Sequence, residues 1–220
     1  MIGAVLFDVD GTLVDSNRLH AAAWQQAFLR FGVRLSIEEI RRQIGKGGDN
    51  LIPALLPEDL AKEKGEAIEH FRSGLFRRDY LPRVAPFPGV RALFERLYAD
   101  NVRIVLATSS HKEELAFHRS LLGCEDLIHA ATSRDDVDRS KPCPDIFEAA
   151  LRKVAPLDPG HALVVGDSPW DIEAARAAGI EAIALRCGGF ADEELSEAGP
   201  IALYDDPEEL ARLYPSWLSA

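Results

Sequence analysis

The chain is poor in sulfur, short of basic residues and without a long apolar run. Its three cysteines, Cys124, Cys143 and Cys187, are odd in number and scattered over 220 residues. They frame neither a disulfide scaffold nor a CxxC metal site, and a reducing cytoplasm is the expected compartment. No apolar stretch reaches the roughly 18 residues that a membrane span needs. The N-terminus lacks a basic start, and Asp8 and Asp10 interrupt its apolar run, which argues against a signal peptide. Twenty-five Lys+Arg face 36 Asp+Glu, a formal charge of −11. That balance disfavours a nucleic-acid backbone or an anionic membrane as the main partner, while allowing a local basic pocket. A chain of this length buries a substantial core without disulfides or structural metals, and a monomer is the default expectation.

What is present is a rhythm. Short apolar runs at Ala4–Phe7, Val102–Ala107, Leu127–Ala131, Ala162–Val165 and Ala182–Leu185 alternate with amphipathic stretches at Val90–Ala99, Lys112–Leu122, Ile146–Val154 and Trp170–Ala178. Strand, helix, strand in this order predicts an α/β fold: a Rossmann-like parallel sheet with helices on both faces. Residues 16–86 break the rhythm with helical patterns at Asn17–Phe31, Ile37–Ile44 and Leu60–Phe76 and no convincing strand. They predict an inserted all-α domain between two parts of the core, 1–15 and 87–220. Charge divides along the same line. Residues 16–86 hold 12 Lys+Arg and 9 Asp+Glu, the remainder 13 and 27, so the acidity belongs to the core.

The unusual polar groups stand at the C-terminal ends of predicted strands, where open parallel sheets bind ligands. Asp8-Val9-Asp10-Gly11-Thr12 follows the first strand. Two carboxylates directly after a buried strand are costly unless they bind a cation, do chemistry or reach solvent in the turn. The spacing does not complete a calcium loop. Thr108-Ser109-Ser110 follows the second strand; its hydroxyls and backbone N–H groups suit a phosphate oxygen or, equally, a helix N-cap. Lys141, between Ser140 and Pro142, is placed to neutralise an anion or is a surface lysine. Gly166-Asp167-Ser168-Pro169-Trp170-Asp171 sets two acids four apart. Together they suit a hard cation such as Mg²⁺, with Asp171 alternatively a first-turn helix partner.

In this order the four segments resemble the motifs of the haloacid dehalogenase-like superfamily: DVDGT, ATSS, SKP and GDSPWD. The resemblance spans essentially the whole chain, and the helical segment lies where the family carries its small α-helical cap. It implies that Asp8 is a nucleophile forming an aspartyl-phosphate, with Asp10 as general acid/base. Asp10 favours phosphoryl transfer over the dehalogenating branch, which typically lacks that acid. The resemblance further implies Mg²⁺ held by Asp8, the Asp10 carbonyl, Asp167 and, through water, Asp171, which otherwise orients Lys141. Ser109, with Thr108, Ser110 and neighbouring amides, would hold phosphoryl oxygens, and Lys141 would offset charge beside Asp8. His20 and Trp24 resemble the H-x-x-A-W pattern of the capped subfamily that includes phosphoglycolate phosphatases and β-phosphoglucomutases. His20 shapes the closed site or packs a helix. Lys46, in the turn Gly45–Asp49, contacts substrate or is a solvated lysine. The implied activity is a Mg²⁺-dependent phosphatase acting on a small phosphorylated metabolite. The alternatives are a sugar-phosphate mutase, a haloacid dehalogenase and a phospho-accepting signalling module. The mutase branch usually carries Glu-Asp where this chain has Gly166-Asp167.

Overall fold

Four consecutive apolar residues, Ala4–Phe7, form strand β1, and all four are buried. In the computed structural model, which describes residues 1–219, β1 is flanked by β4 (Arg103–Ala107) and β6 (Ala162–Gly166). The sheet continues outward through β5 (Ala130–Thr132) on one side, and through β7 (Glu181–Leu185) and β8 (Ala202–Tyr204) on the other. The order is β5-β4-β1-β6-β7-β8, and every pairing is parallel. Phe7 is opposite both Leu106 and Val165, so the three central strands end nearly level. Asp8, Thr108 and Asp167 therefore emerge at one edge, where the chain leaves β1 for strands on opposite sides.

Strand alternation sorts the two faces. Val5, Phe7, Ile104, Leu106, Leu163, Val165, Ile183 and Leu185 pack with α5 (Val90–Ala99), α6 (Lys112–Leu122) and α10 (Pro207–Leu213). Ala4, Leu6, Val105, Ala107, Ala162, Val164, Ala182 and Ala184 pack with α7 (Asp145–Lys153), α8 (Pro169–Ala177) and α9 (Asp192–Ala198). No helix among the described residues is long and apolar enough to cross a membrane.

A two-stranded antiparallel ribbon joins the core to the helical insertion. β2 (Val14–Asp15) leaves and β3 (Ala85–Pro86) returns, with Val14 opposite Pro86 and Asp15 opposite Ala85. Between them run α1 (Asn17–Arg30), α2 (Ile37–Arg41), α3 (Gly48–Leu55) and α4 (Glu58–Leu75). These helices enclose their own apolar cluster, which includes Trp24, Phe28, Ile40, Leu51 and Ile68. The strand expected at Leu127–Ala131 instead begins as a 3₁₀ turn, Glu125–Leu127, and pairs only from Ala130. The helix expected over Ile37–Ile44 stops at Arg41, and the Gly-rich turn after it opens α3.

Candidate active site

Three carboxylates from different elements meet beyond the sheet. Asp8 follows β1, Asp167 follows β6 and Asp171 lies in the first turn of α8; their oxygens fall within 4.8 Å of one another. Lys141 reaches into them from the loop before α7, fully buried. Its ammonium contacts Asp8 Oδ1, lies 2.7 Å from Asp171 Oδ1 in ion-pair geometry, and donates to the Ala107 carbonyl at 3.2 Å. Burial opposes the charge on Lys141, but Asp171 and Asp8 outweigh it and hold the ammonium above its usual range.

One ammonium against three buried carboxylates leaves two negative charges uncompensated. Burial pushes the Asp8 carboxyl up to about 7 against the pull of Lys141, and repulsion from Asp171 and Asp10 adds to the rise. Asp167 is raised well above the carboxylate range by burial and by repulsion from Asp171 and Asp8. The donors are carboxylate oxygens, and among the described residues Asp171 Oδ1 faces only the Lys141 ammonium. Nearby Cys187 donates its S–H to the Gly11 carbonyl at 3.1 Å, and burial raises its thiol, so it offers no thiolate. The set fits a hard divalent cation better than a soft one.

Neighbouring groups orient each acid. Thr12 Oγ1 and Asn17 Nδ2 donate to the two Asp167 oxygens at 2.8 Å. Asp171 also closes the capping box of α8: the Ser168 hydroxyl and amide donate to Asp171 Oδ2 at 2.6 and 3.1 Å. It therefore combines the two roles its position in the sequence left open, helix capping and holding Lys141.

The Asp10 carboxylate stands apart from this cluster, so its side chain is not one of the grouped acids and only its backbone carbonyl remains for a cation. It accepts from Ser16 Oγ at 2.7 Å, His20 Nε2 at 2.9 Å and Ser110 Oγ at 2.7 Å, with Thr108 Oγ1 at 3.4 Å. Burial alone would raise Asp10, but His20, His118 and the Ser16 hydroxyl together hold it well below the usual range. His20 Nδ1 faces the guanidinium of Arg72, which only donates, so the imidazole proton sits on Nε2 and points at Asp10. Burial lowers the His20 imidazole below its usual range, with Arg72 adding to the shift and Asp10 opposing it. The imidazole stacks on Phe76 with ring centroids 3.9 Å apart.

Behind Arg72 lie two buried groups from α6: Glu114, 3.8 Å from Arg72 Nη1, and His118, 3.9 Å from Asp10 Oδ1. Arg72 shares a buried stripe of α4 with Gly65, Ile68 and Leu75, and Glu114 and His118 share one of α6 with Leu115 and Leu122. A charge at a core position of a helical pattern was the sequence signal for these residues.

The remaining expected residues line the same cavity, of about 50 Å³. Ser109 Oγ donates to the Gly45 carbonyl of the insertion at 3.2 Å. Lys46 is engaged by Gln43 Oε1 at 2.7 Å and sits 3.6 Å over the Trp170 ring. Asp49 accepts from the Ser140 amide at 3.0 Å and from its hydroxyl, while Asn50 donates to the Ser140 and Lys141 carbonyls at 2.8 and 3.2 Å. The insertion is thereby docked onto the loop that delivers Lys141.

The phosphorylated carbohydrates phosphatase of Thermotoga maritima is 29% identical over 211 residues, covering 94% of this chain and 95% of that protein. A phosphoglycolate phosphatase of Pseudomonas savastanoi pv. phaseolicola is 30% identical over 220 residues, covering 97% and 79%. The crystal structure of a hydrolase from Pseudomonas syringae superposes with a TM-score of 0.88 at 31% identity, covering 95% of this chain and 96% of that one. Residues 2–179 match the haloacid dehalogenase-like hydrolase family, and the chain belongs to it.

Proposed function

We propose that the chain is a phosphatase that cleaves a small phosphomonoester through a phosphoryl group carried on Asp8. The observation that carries this reading is the pairing of Asp8 with buried Lys141 inside an oxygen-only acidic cluster, while Asp10 faces the same cavity under separate control. Bound Mg²⁺ would supply charge neutralisation at the phosphoryl oxygens, with Asp8, Asp167, the Asp10 carbonyl and, through water, Asp171 as its holders. Lys141 pulls the Asp8 carboxyl down against the rise that burial imposes, and in its ionised form one carboxylate oxygen attacks phosphorus as the bond to the leaving oxygen breaks. The donors around Asp10 hold its carboxyl ionised, so the proton for the leaving oxygen enters with the phosphomonoester monoanion and passes to that oxygen through Asp10. Asp10 then takes a proton from the water that attacks phosphorus, and the bond to Asp8 breaks. Residues 16–86 act in this reading as a cap that excludes bulk water.

A mutase would return the phosphoryl group to a sugar instead of to water. Gly166 speaks for hydrolysis: a side chain there would overlap Asp171, so the Glu typical of mutases has no space in this packing. The test is phosphate release from a panel of phosphomonoesters, with Mg²⁺ and with chelator. Release that needs Mg²⁺ and falls about a thousandfold or more in Asp8→Asn is expected. Equal release by Asp8→Asn removes the nucleophile assignment. Interconversion of hexose phosphates without release selects the mutase.

A further inference from the structure

Helix α6 buries a carboxylate that the reaction described above does not use. Glu114 is 1% exposed, and neither of its oxygens has a hydrogen-bond partner among the described residues. The cation facing it is Arg72 of the insertion, whose Nη1 lies 3.8 Å from Glu114 Oε1, an ion pair too long for a hydrogen bond. Stability does not account for such a pair, because well-packed apolar side chains of similar volume serve a buried position as well or better. The connections of Arg72 do account for it. Its guanidinium carbon lies 5.2 Å from the Trp24 ring and 4.9 Å from the Phe76 ring, and its other terminal nitrogen, Nη2, donates to His20 Nδ1. His20 Nε2 in turn donates to Asp10 Oδ1 at 2.9 Å. The second Asp10 oxygen, Oδ2, accepts from Ser110 Oγ at 2.7 Å, four residues before Glu114 in the chain. One segment of the core, 110–114, thus reaches both oxygens, directly at Oδ2 and through two residues of the insertion at Oδ1. His118 also stands 3.9 Å from Oδ1, but its ring nitrogens are unbonded, which leaves the orientation of that oxygen to His20 and Ser16.

We propose, resting on the phosphatase reading above, that Glu114 is a positioning residue for proton transfer to the leaving oxygen: by holding Arg72, and through it His20, it fixes the direction in which the Asp10 carboxylate faces the cavity. A buried charge is little screened, so Glu114 restrains the guanidinium without a hydrogen bond. The transfer it serves matters in proportion to how poorly the leaving oxygen departs unprotonated. A p-nitrophenolate leaves without a proton; an alkoxide does not.

The test measures kcat/KM of the full chain with Mg²⁺ for p-nitrophenyl phosphate, phenyl phosphate and the best alkyl phosphate of the phosphomonoester panel. This constant reports formation of the phospho-enzyme, ahead of the hydrolytic step that all three share. In Glu114→Gln and Glu114→Ala, the ratio of the alkyl to the p-nitrophenyl ester is expected to fall about tenfold, with phenyl phosphate between them. A loss of folded enzyme, or a disturbance of the acidic cluster, lowers all three alike and cancels. Arg72→Met leaves no buried cation unpaired and is expected to show the same fall. Adding Glu114→Gln to it should then change the ratio by less than about twofold, because the two residues act in one chain of contacts. An unchanged ratio in the Glu114 variants overturns the proposal, as does an unchanged ratio in Arg72→Met where those variants do not fold. A further fall of about tenfold in the double variant overturns it too, because Glu114 then acts apart from Arg72. So does a wild type that cleaves p-nitrophenyl phosphate and no alkyl phosphate, since no proton transfer is left to position; in each of these cases the phosphatase reading stands. No release by the wild type from any of the three overturns both.

Discussion

Backbone approaches the acidic cluster so closely that a single methyl group decides its geometry. A Cβ on Gly188 would overlap the Asp167 carboxylate, whose Oδ2 is also held by Asn17, and Asn17 in turn donates to the Gly188 carbonyl at 2.9 Å. Gly188→Ala is therefore expected to weaken Mg²⁺ binding by about 10- to 100-fold, the range for disturbing the support of a metal ligand, as measured by calorimetric titration. Unchanged affinity would mean that Asp167 is not a ligand. Lys141→Met makes a different demand. It leaves Asp8 and Asp171 buried without their shared cation, and breaking such a pair costs about 3–5 kcal/mol. Denaturant midpoints in chelator should show that loss, and Mg²⁺ should return part of it; a midpoint equal to wild type would contradict the charge balance described here. Asp8 and Asp167 stood out in the sequence because each directly follows a strand, and Asp171 because it lies in the first turn of the helix after it, whereas Lys141, in the loop before α7, gained its meaning only beside them. Arg72, Glu114 and His118 did not stand out. They sit on apolar helical stripes, and only the packing of α4 against α6 shows that the stripes meet beside Asp10.

Elements that bury a continuous apolar run were legible; those that depend on a neighbour were not. β1, β4, β6 and β7 fall within a residue of their expected bounds because full burial on both faces requires unbroken apolar sequence. β8 has three half-buried residues at the sheet edge, and β2 and β3 have two residues each, too few to show any period. α3 opens at Gly48, a residue that disfavours helix, because the preceding turn is pressed against the core: a side chain on Gly47 would overlap Ser140. The amide of Gly47 donates to Ser140 Oγ at 3.0 Å, and that hydroxyl in turn donates to Asp49. Ser140→Ala removes both contacts next to Lys141. Its stability cost should be about 1 kcal/mol, or ~2–4 °C in Tm for a chain of this size. If the docked turn completes the cavity, kcat/KM should fall by about tenfold, well beyond what that small loss of stability explains. A variant with the lowered Tm and wild-type kcat/KM would confine the turn to a structural role.

At the scale of the whole molecule, the −11 charge and the buried cluster make stability depend on pH and cation together. Asp8 is raised to about 7 in the fold and Asp167 is raised with it, both first by burial, whereas in the unfolded chain such groups ionise near their usual value of about 4. A carboxyl raised in the folded state favours folding only while protonated. Its contribution is complete below about pH 4 and is lost as pH rises through 7. Asp10 and Asp136 run the other way. Asp10 is held well below the usual range by His20 and His118 despite burial, and Asp136 is held at about 2 by Ser133 and Lys112, so their contribution is lost only as pH falls below about 4. In chelator the stability curve should therefore peak near pH 4–5 and decline toward pH 8 by a few kcal/mol. Mg²⁺ needs the ionised carboxylates, so the Tm gain it gives should be small at pH 5 and large at pH 8. Sodium chloride at matched ionic strength separates binding from screening of the net charge, and Asp167→Asn should flatten the decline. A chelated protein whose stability is level from pH 5 to 8, or a Mg²⁺ gain that is the same at both, would show that the three carboxylates do not share a single cation site.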